Sequence, residues 1–133
     1  MNTVVHPKGW LPAQGYANGI FTTDGHLYIG GQIGWNAQQE SENYDFILQM
    51  RQNVVAVLNA AGAGVEDIVR LTWYVIDKRE YLARQAEVGK AYRDIMGRHF
   101  PAMTMVVVSG LVEDRALLEI EATAVISQPH SRD

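Results

Sequence analysis

Two glutamates stand in a segment that otherwise has the composition of a buried strand. Residues 116–126 read Ala-Leu-Leu-Glu-Ile-Glu-Ala-Thr-Ala-Val-Ile, and Glu119 and Glu121 are its only charged side chains. Side chains alternate between the two faces of a strand, so both carboxylates share one face and the apolar side chains at 118, 120, 122 and 124 share the other. A carboxylate on such a face must meet water, a hydrogen-bond donor or a cation. The pattern therefore predicts either a cleft or an ordinary solvent-exposed acidic face.

The composition predicts one globular domain over residues 1–133. A chain of this length, with 47% hydrophobic and 20% charged residues, can bury a core without metal or disulfide support. The net charge of -4 and the scattered basic residues argue against binding to nucleic acid or to a membrane surface. There is no cysteine and the four histidines lack ligand spacing, so we expect no metal site. No signal-like or membrane-spanning segment is present, and we expect a cytoplasmic location.

The first half of the chain predicts a hairpin followed by a helix. Residues 20–23 and 26–29 flank Asp24-Gly25, a dipeptide that tolerates the positive φ angles of a tight two-residue turn. Residues 43–61 then carry apolar side chains at a spacing of three to four, including Ile47 and Met50. Gly62 is suited to end this amphipathic helix.

The second half predicts a strand and a second helix. Residues 67–76 alternate in the manner of a strand, with one face expected to carry Val69, Leu71, Trp73 and Val75. Asp77 is a candidate N-cap, and Glu80 completes a pattern similar to a capping box. The helix is expected to continue to about Met96, where Gly97 follows and Pro101 prevents continuation.

Residues 102–108 are strongly β-prone, and we expect this strand to pair with the glutamate strand. The resulting order β-β-α-β-α-β-β predicts an α+β fold, a mixed sheet with both helices on one face. The uncovered face is then expected to carry Met103, Met105 and Val107 beside Glu119 and Glu121. Because an exposed apolar patch usually marks an interface, this arrangement predicts a homo-oligomer with glutamates at wet clefts between subunits.

Six short motifs stand in a characteristic order along the chain. They are Gln14-Gly15-Tyr16-Ala17-Asn18-Gly19, Gly30-Gly31-Gln32-Ile33, Asn59-Ala60-Ala61-Gly62-Ala63, Asp67-Ile68-Val69-Arg70-Leu71-Thr72, Phe100-Pro101-Ala102 and Leu118-Glu119-Ile120-Glu121-Ala122. Each motif is weak alone, but their order and spacing resemble the RidA/YjgF family over residues 12–125. We therefore expect one family domain with a core at about 12–126.

The resemblance implies a fold, an assembly and an activity. It implies a chorismate-mutase-like homotrimer with three clefts between subunits. It also implies hydrolysis of reactive enamines and imines to keto acids and ammonia without a cofactor. The expected partners are further copies of the chain and a small-molecule metabolite.

The resemblance also assigns site residues, and here the chain departs from the family pattern. Tyr16, Gly31 and Glu119 match the family's cleft tyrosine, its glycine after the first hairpin and the glutamate that positions the attacking water. Where the family has a serine, a substrate-binding arginine, a cleft cysteine and an asparagine, this chain has Gly30, Met103, Met105 and Gly89. Arginine offers a charged fork for a carboxylate, whereas a thioether offers only packing, so the chain lacks the family's main carboxylate anchor.

Glu119 is the candidate that aims water at the carbon of a C=N bond. If Met103, Met105 and Leu117 surround it, desolvation raises its pKa toward neutrality. The Tyr16 hydroxyl is a second candidate for holding water or substrate, although a tyrosine beside glycines is as often a packing residue. Glu121 is expected to pair across an interface.

Several alternatives remain open at this point. Arg115 or Arg84 is a candidate to replace the missing arginine from a neighbouring subunit, although a solvated arginine is the commoner case. Otherwise the ligand lacks a carboxylate and is larger and more apolar, with Met103 and Met105 lining its pocket. Trp10, Trp35 and Trp73 are expected in the core or at an interface.

The sequence leaves three functions in competition. The first is a hydrolase of altered specificity acting on a small enamine or imine, with Met103 in place of the family arginine. The second is a non-catalytic trimer that binds a metabolite or partner protein through the same clefts. The third, translation inhibition or RNA cleavage, ranks last because the chain is acidic and has no basic stripe.

Overall fold

The computed structural model describes residues 1–33, 53–114 and 116–126. Over these residues six strands form a single mixed sheet in the order β1-β2-β3-β6-β4-β5. The strands are β1 (Thr3–Val5), β2 (Gly19–Phe21), β3 (His26–Gln32), β4 (Ile68–Val75), β5 (Ala102–Val107) and β6 (Leu118–Val125). The helices are α1 (Val55–Ala60), α2 (Lys78–Ala83) and α3 (Gln85–Met96), and a 3-10 turn covers Val65–Asp67. Only β4 and β5 pair in parallel among these strands, and the predicted α+β class is confirmed.

Helices α1 and α3 pack against one face of the sheet and bury the core there. The alternation predicted for β6 is confirmed, because 118, 120, 122 and 124 are buried while 119, 121, 123 and 125 are partly exposed. The core joins sheet and helix side chains, chiefly Leu27, Ile29, Leu71, Trp73, Leu118, Ile120, Val57, Leu58, Val88, Tyr92 and Met96. The helix-covered face of β6 is therefore fully apolar, and both glutamates lie on the opposite face, which we call the open face.

The predicted hairpin between β2 and β3 is confirmed, with a slightly longer turn. Thr22 donates its backbone N–H to the His26 carbonyl at 2.8 Å, so residues 23–25 form the turn instead of two residues. Gly25 adopts a φ of 94°, a conformation that glycine reaches without strain.

Helix boundaries follow the predicted signals where the structure describes them. The Asp77 carboxylate accepts backbone N–H groups of Arg79 and Glu80 at 2.9 and 3.1 Å, which confirms it as the N-cap of α2. The predicted second helix is divided at Arg84, which has non-helical angles between α2 and α3. The amino-terminal part of the first predicted helix, with Ile47 and Met50, lies outside the described residues, as do Trp35 and Arg115.

The prediction that residues 102–108 pair with the glutamate strand is wrong. Strand β6 lies between β3 and β4, while β5 is an edge strand that pairs with β4. The reason is the helical connection between β4 and β5, because a strand-helix-strand unit places its two strands in parallel. Strand β1, which was not predicted, forms the other edge.

The assignment of Val69 to the buried face of β4 is also wrong. Ile68 pairs with Ala124 and Arg70 pairs with Thr123, so Val69 is the extra residue of a bulge. A bulged residue leaves the alternation of its strand, and Val69 is 47% exposed. None of the described helices combines the length and the apolar character needed to cross a membrane.

Candidate functional site

The centre of the open face holds two carboxylates and a tyrosine. Strand β6 places Glu119 opposite Tyr74 of β4, and Glu121 opposite Thr72. The Tyr74 hydroxyl donates a hydrogen bond of 2.6 Å to Glu121. All three side chains are partly buried, although none of the described helices covers this face. The prediction that both glutamates share one face of the strand is thus confirmed.

Glu119 lies across a glycine at a bulge in β3. Ile29 pairs with Ala122 and Gln32 pairs with Ile120, so the segment Gly30-Gly31 contains the extra residue. A Cβ atom added to Gly31 would lie 2.6 Å from Cδ of Glu119 and 2.9 Å from its Cγ. No side chain fits at position 31 while Glu119 keeps this position. The glycine match predicted for the site therefore has a direct steric role.

The electrostatic environment favours the neutral form of Glu119. Burial raises the pKa of the Glu119 carboxyl, and the Glu121 carboxylate raises it further. The hydrogen bond to Glu121 raises the pKa of the Tyr74 hydroxyl, with burial and the two carboxylates acting in the same direction. A carboxyl whose pKa is raised and that lies beside a glycine is a candidate proton donor and acceptor.

Tyr16 belongs to the same neighbourhood through its backbone segment. The backbone N–H of Gly30 donates to the Asn18 carbonyl at 2.9 Å, so the segment carrying Tyr16 runs beside the bulge. The Tyr16 side chain is 51% exposed. The structure therefore brings Glu119, Gly31, Gly30 and the Tyr16 segment together, and we call Glu119, Glu121, Tyr74, Gly30 and Gly31 the Glu119 site.

The expectation that Met103, Met105 and Val107 lie beside the glutamates is wrong. Strand β5 pairs Met103 with Leu71 and Met105 with Trp73, and both partners are buried beneath the helices. The two methionines therefore lie on the helix-covered side, and Thr104 and Val106 take the open face. A shift of one residue moves every side chain of a strand to the other face, and the pairing with β4 decides which face is used. The raised pKa of Glu119 thus has other causes than these methionines.

The correction removes the apolar patch from which the oligomer was predicted. The open face near the glutamates carries mainly polar side chains: Thr72, Tyr74, Thr104, Thr123 and Arg70. A depression of about 310 Å³ lies on this face, lined in part by Tyr28, Gly30, Arg70 and Glu121. The prediction of a homotrimer therefore rests on the family resemblance and not on exposed apolar surface.

Met103 and Met105 line a separate cavity, the helix-side pocket, between α3 and β5. It has a volume of about 620 Å³, and its apolar walls include Trp73, Tyr81, Tyr92, Phe100, Met103 and Met105. Gly89 and Arg93 of α3 also line it. Trp73, which was expected to serve only in the core or at an interface, is both a core residue and a wall of this cavity.

Arg93 was missed at the sequence level, and Arg84, one of the two arginines considered there, does not line the helix-side pocket. Arg84 bonds Glu87 at 3.0 Å and approaches Glu80 at 4.0 Å, and Arg115 lies outside the described residues. Its spacing in the sequence could have identified it, because Arg93 lies four residues after Gly89 and therefore on the same helix face.

The fold and the position of the glutamate strand define a class. A mixed sheet with helices on one face is the fold of a Rid-family protein of unknown function, YyfA from Yersinia pestis, and of a putative L-PSP endoribonuclease from Thermotoga maritima. The first superposes with a TM-score of 0.79 at 32% identity, over 95% of this chain and all of that one. The second has a TM-score of 0.81 at 26% identity, over 96% and 100%.

The chain belongs to the RidA/YjgF family. The family model described as Endoribonuclease L-PSP matches residues 8–126. A RutC family protein of Haemophilus influenzae is 37% identical over 105 residues, 76% of this chain and 80% of its own length. The 2-iminobutanoate/2-iminopropanoate deaminase of Escherichia coli K12 is 38% identical over 105 residues, 74% and 78% of the two lengths. The recognition made from the sequence motifs is thereby confirmed.

Proposed function

We propose that this protein is a C=N hydrolase that converts an enamine or imine metabolite to a carbonyl compound and ammonia. The observation that carries the proposal is the environment of Glu119. Its carboxyl has a raised pKa and is partly buried. It lies beside Gly31 of the β3 bulge, where the absence of a side chain leaves room for it. The similarity to a named iminobutanoate and iminopropanoate deaminase supports the same chemistry.

The proposed reaction needs only water and one group that carries a proton. A protonated Glu119 donates its proton to the imine nitrogen, and the resulting carboxylate then accepts a proton from the water that attacks the imine carbon. Glu119 then donates that proton to the amino nitrogen of the carbinolamine, the C–N bond breaks to release ammonia, and the carboxylate takes the hydroxyl proton as the hydroxyl becomes the carbonyl. One imine and one water give one carbonyl compound and one ammonia, and Glu119 returns to its starting form. The Tyr16 hydroxyl is the proposed second group for holding water or substrate.

The separation of the candidate residues supports a homotrimer with clefts between subunits. Glu119 and Gly31 lie on the open face, while Met103 and Met105 lie on the helix-covered side of the same sheet. One cleft that contains both sets therefore needs two chains, with the Glu119 site of one facing the helix-side pocket of the next. We propose that the protein acts in this assembly and has altered specificity because Met103 replaces the family arginine.

The test is ammonia release from freshly generated imines, measured above the rate without protein. We expect the native protein to accelerate release, and Glu119→Gln to lower the acceleration about 10²-fold, the lower end of general acid-base contributions. Glu66→Gln, an exposed glutamate in the 3-10 turn, is the matched control and should keep the native rate. Unchanged release by Glu119→Gln would remove Glu119 from the mechanism. Light scattering on the same samples tests for three subunits.

A non-catalytic metabolite-binding trimer is the second candidate, and Met103 is the observation that favours it. At the place of a charged anchor the chain has a thioether facing an apolar cavity. The variant Met103→Arg separates the two functions in the same assay. Ammonia release by the native protein supports the enzyme, whereas release by the variant alone supports a binding protein that has lost catalysis.

A further inference from the structure

The helix-side pocket is large for a small imino acid. Its volume of about 620 Å³ falls in the range of roughly 300–1,000 Å³ found for drug-sized ligands. A substrate with a two- or three-carbon skeleton would leave most of this volume unfilled, and unfilled apolar volume contributes no binding energy. The size of the pocket therefore favours a ligand with a large apolar body.

The walls of the pocket are aromatic and are held in place by the fold. The Tyr92 hydroxyl donates to the His99 carbonyl at 2.6 Å, and its ring stacks on Phe100 with centroids 5.5 Å apart. Trp73, which is 5% exposed, has an indole N–H without a hydrogen-bond partner among the described residues. The walls are therefore suited to pack against a large apolar group of a ligand.

Arg93 supplies a positive charge at the edge of these apolar walls. Its side chain is exposed, lines the pocket, and forms no ion pair or hydrogen bond with any residue that the structure describes. A guanidinium nitrogen of Arg93 lies 3.4 Å from the position that a Cβ atom would take at Gly89. A Cβ atom at position 89 would therefore be in van der Waals contact with the guanidinium, and side-chain atoms beyond Cβ would compete with it for the same space.

Arg70 is the other exposed arginine in a described depression, but its position fits less well. It lies on the open face and pairs with Thr123, four residues along β6 from Glu119. The Glu121 carboxylate lines the same depression and would repel a bound carboxylate. The depression also has a volume of only about 310 Å³, against about 620 Å³ for the helix-side pocket.

We propose that Arg93 binds the carboxylate of a 2-imino acid whose large aromatic or branched side chain fills the helix-side pocket against Met103 and Met105. This inference rests on the proposed hydrolase function and adds its substrate class. Arg93 of α3 thus binds the substrate carboxylate, which the Met103 side chain cannot bind. The reacting carbon then lies at the pocket edge, next to the charged group, where Glu119 of a neighbouring subunit completes the cleft.

The test measures the binding of unreactive probes by calorimetry and by tryptophan fluorescence. The probes are 3-phenylpropanoate, its uncharged amide 3-phenylpropanamide, and the short acid propanoate. We expect 3-phenylpropanoate to bind at least tenfold more tightly than either of the others. Arg93→Gln should remove this preference for the acid over the amide, Arg93→Lys should keep part of it, and Gly89→Asn should weaken acid binding. Arg98→Gln removes an exposed arginine outside the pocket and should behave as the native protein.

The outcomes separate this inference from the proposed function. Equal affinity for acid and amide, or loss of acid binding in Arg70→Gln instead of Arg93→Gln, overturns the assignment. The assignment of Arg93 is also overturned if the protein releases ammonia from aryl imino acids and Arg93→Gln does not change the KM. In that case the hydrolase function stands. Selective acid binding through Arg93 without any ammonia release supports the pocket and refutes hydrolysis.

Discussion

Replacing Gly31 with alanine is expected to abolish most activity while leaving the fold nearly intact. Gly31 is not among the glycines with positive φ, so alanine can adopt its backbone conformation. The three atoms nearest to the added Cβ all belong to Glu119, with Cδ at 2.6 Å and Cγ at 2.9 Å. Ordinary van der Waals contact begins at 3.4 Å, so the Glu119 side chain must move. The substitution therefore acts through the position of one carboxyl group.

The size of both effects follows from this movement. Forcing a side chain away from its preferred rotamer costs about 0.5–1.5 kcal/mol, so we expect a loss of about 1 kcal/mol in the free energy of unfolding. A displacement of about 1 Å at a reacting group lowers rates about 10²-fold. The variant should thus lose about two orders of magnitude in kcat/KM at nearly native stability.

Urea denaturation and ammonia release measure the two effects separately. In a Glu119→Ala background the atoms that clash with the new Cβ are absent, so Gly31→Ala should change neither stability nor the residual rate. Gly110→Ala is the matched control, because a Cβ there meets no atom within 4 Å. An equal loss of stability in both backgrounds, or a native rate for Gly31→Ala, would refute the steric explanation.

Three further predictions concern stability. A raised folded-state pKa means that Glu119 favours folding below its ordinary value of 4.5 and loses this contribution as pH rises. The stability of Glu119→Gln relative to the native protein should therefore increase as the pH is raised from 4 to 8. A difference between their urea midpoints that stays constant over this range would contradict this. Tyr74→Phe removes the 2.6 Å bond to Glu121 and should cost about 1 kcal/mol by urea denaturation, whereas no loss would show that water replaces it. Asp77→Ala removes the N-cap of α2 and should cost about 1 kcal/mol in thermal unfolding, while its exposed neighbour gives the control Lys78→Ala. An equal loss in both would exclude capping.

The elements of the fold could be predicted because their signals are local. The Asp77 cap, the hairpin around Gly25 and the alternation in β6 each depend on a few neighbouring residues, and all three are present in the structure. The division of the second helix at Arg84 and the bulge at Val69 were not predicted. The bulge depends on the pairing of β4 with β6, a segment far away in the chain, and such pairing leaves no periodic trace in the sequence.

The candidate site could be predicted in part. The proximity of Glu119 to Gly31 agrees with the motif match, whereas the placement of Met103 beside Glu119 was wrong. Alternation tells which side chains of a strand share a face but not which face of the sheet they take. Arg93 was overlooked because its significance depends on a cavity formed by α3 and β5 together.

By itself, the sequence determined the family, the α+β class and the two-sided character of the glutamate strand, because each depends on residue type and short-range period. The tertiary structure alone decided that β6 lies between β3 and β4, and that β5 pairs in parallel with β4. Strand order and register arise from backbone hydrogen bonds between segments far apart in the chain. For this reason Glu119 and Met103 lie on opposite sides of one sheet.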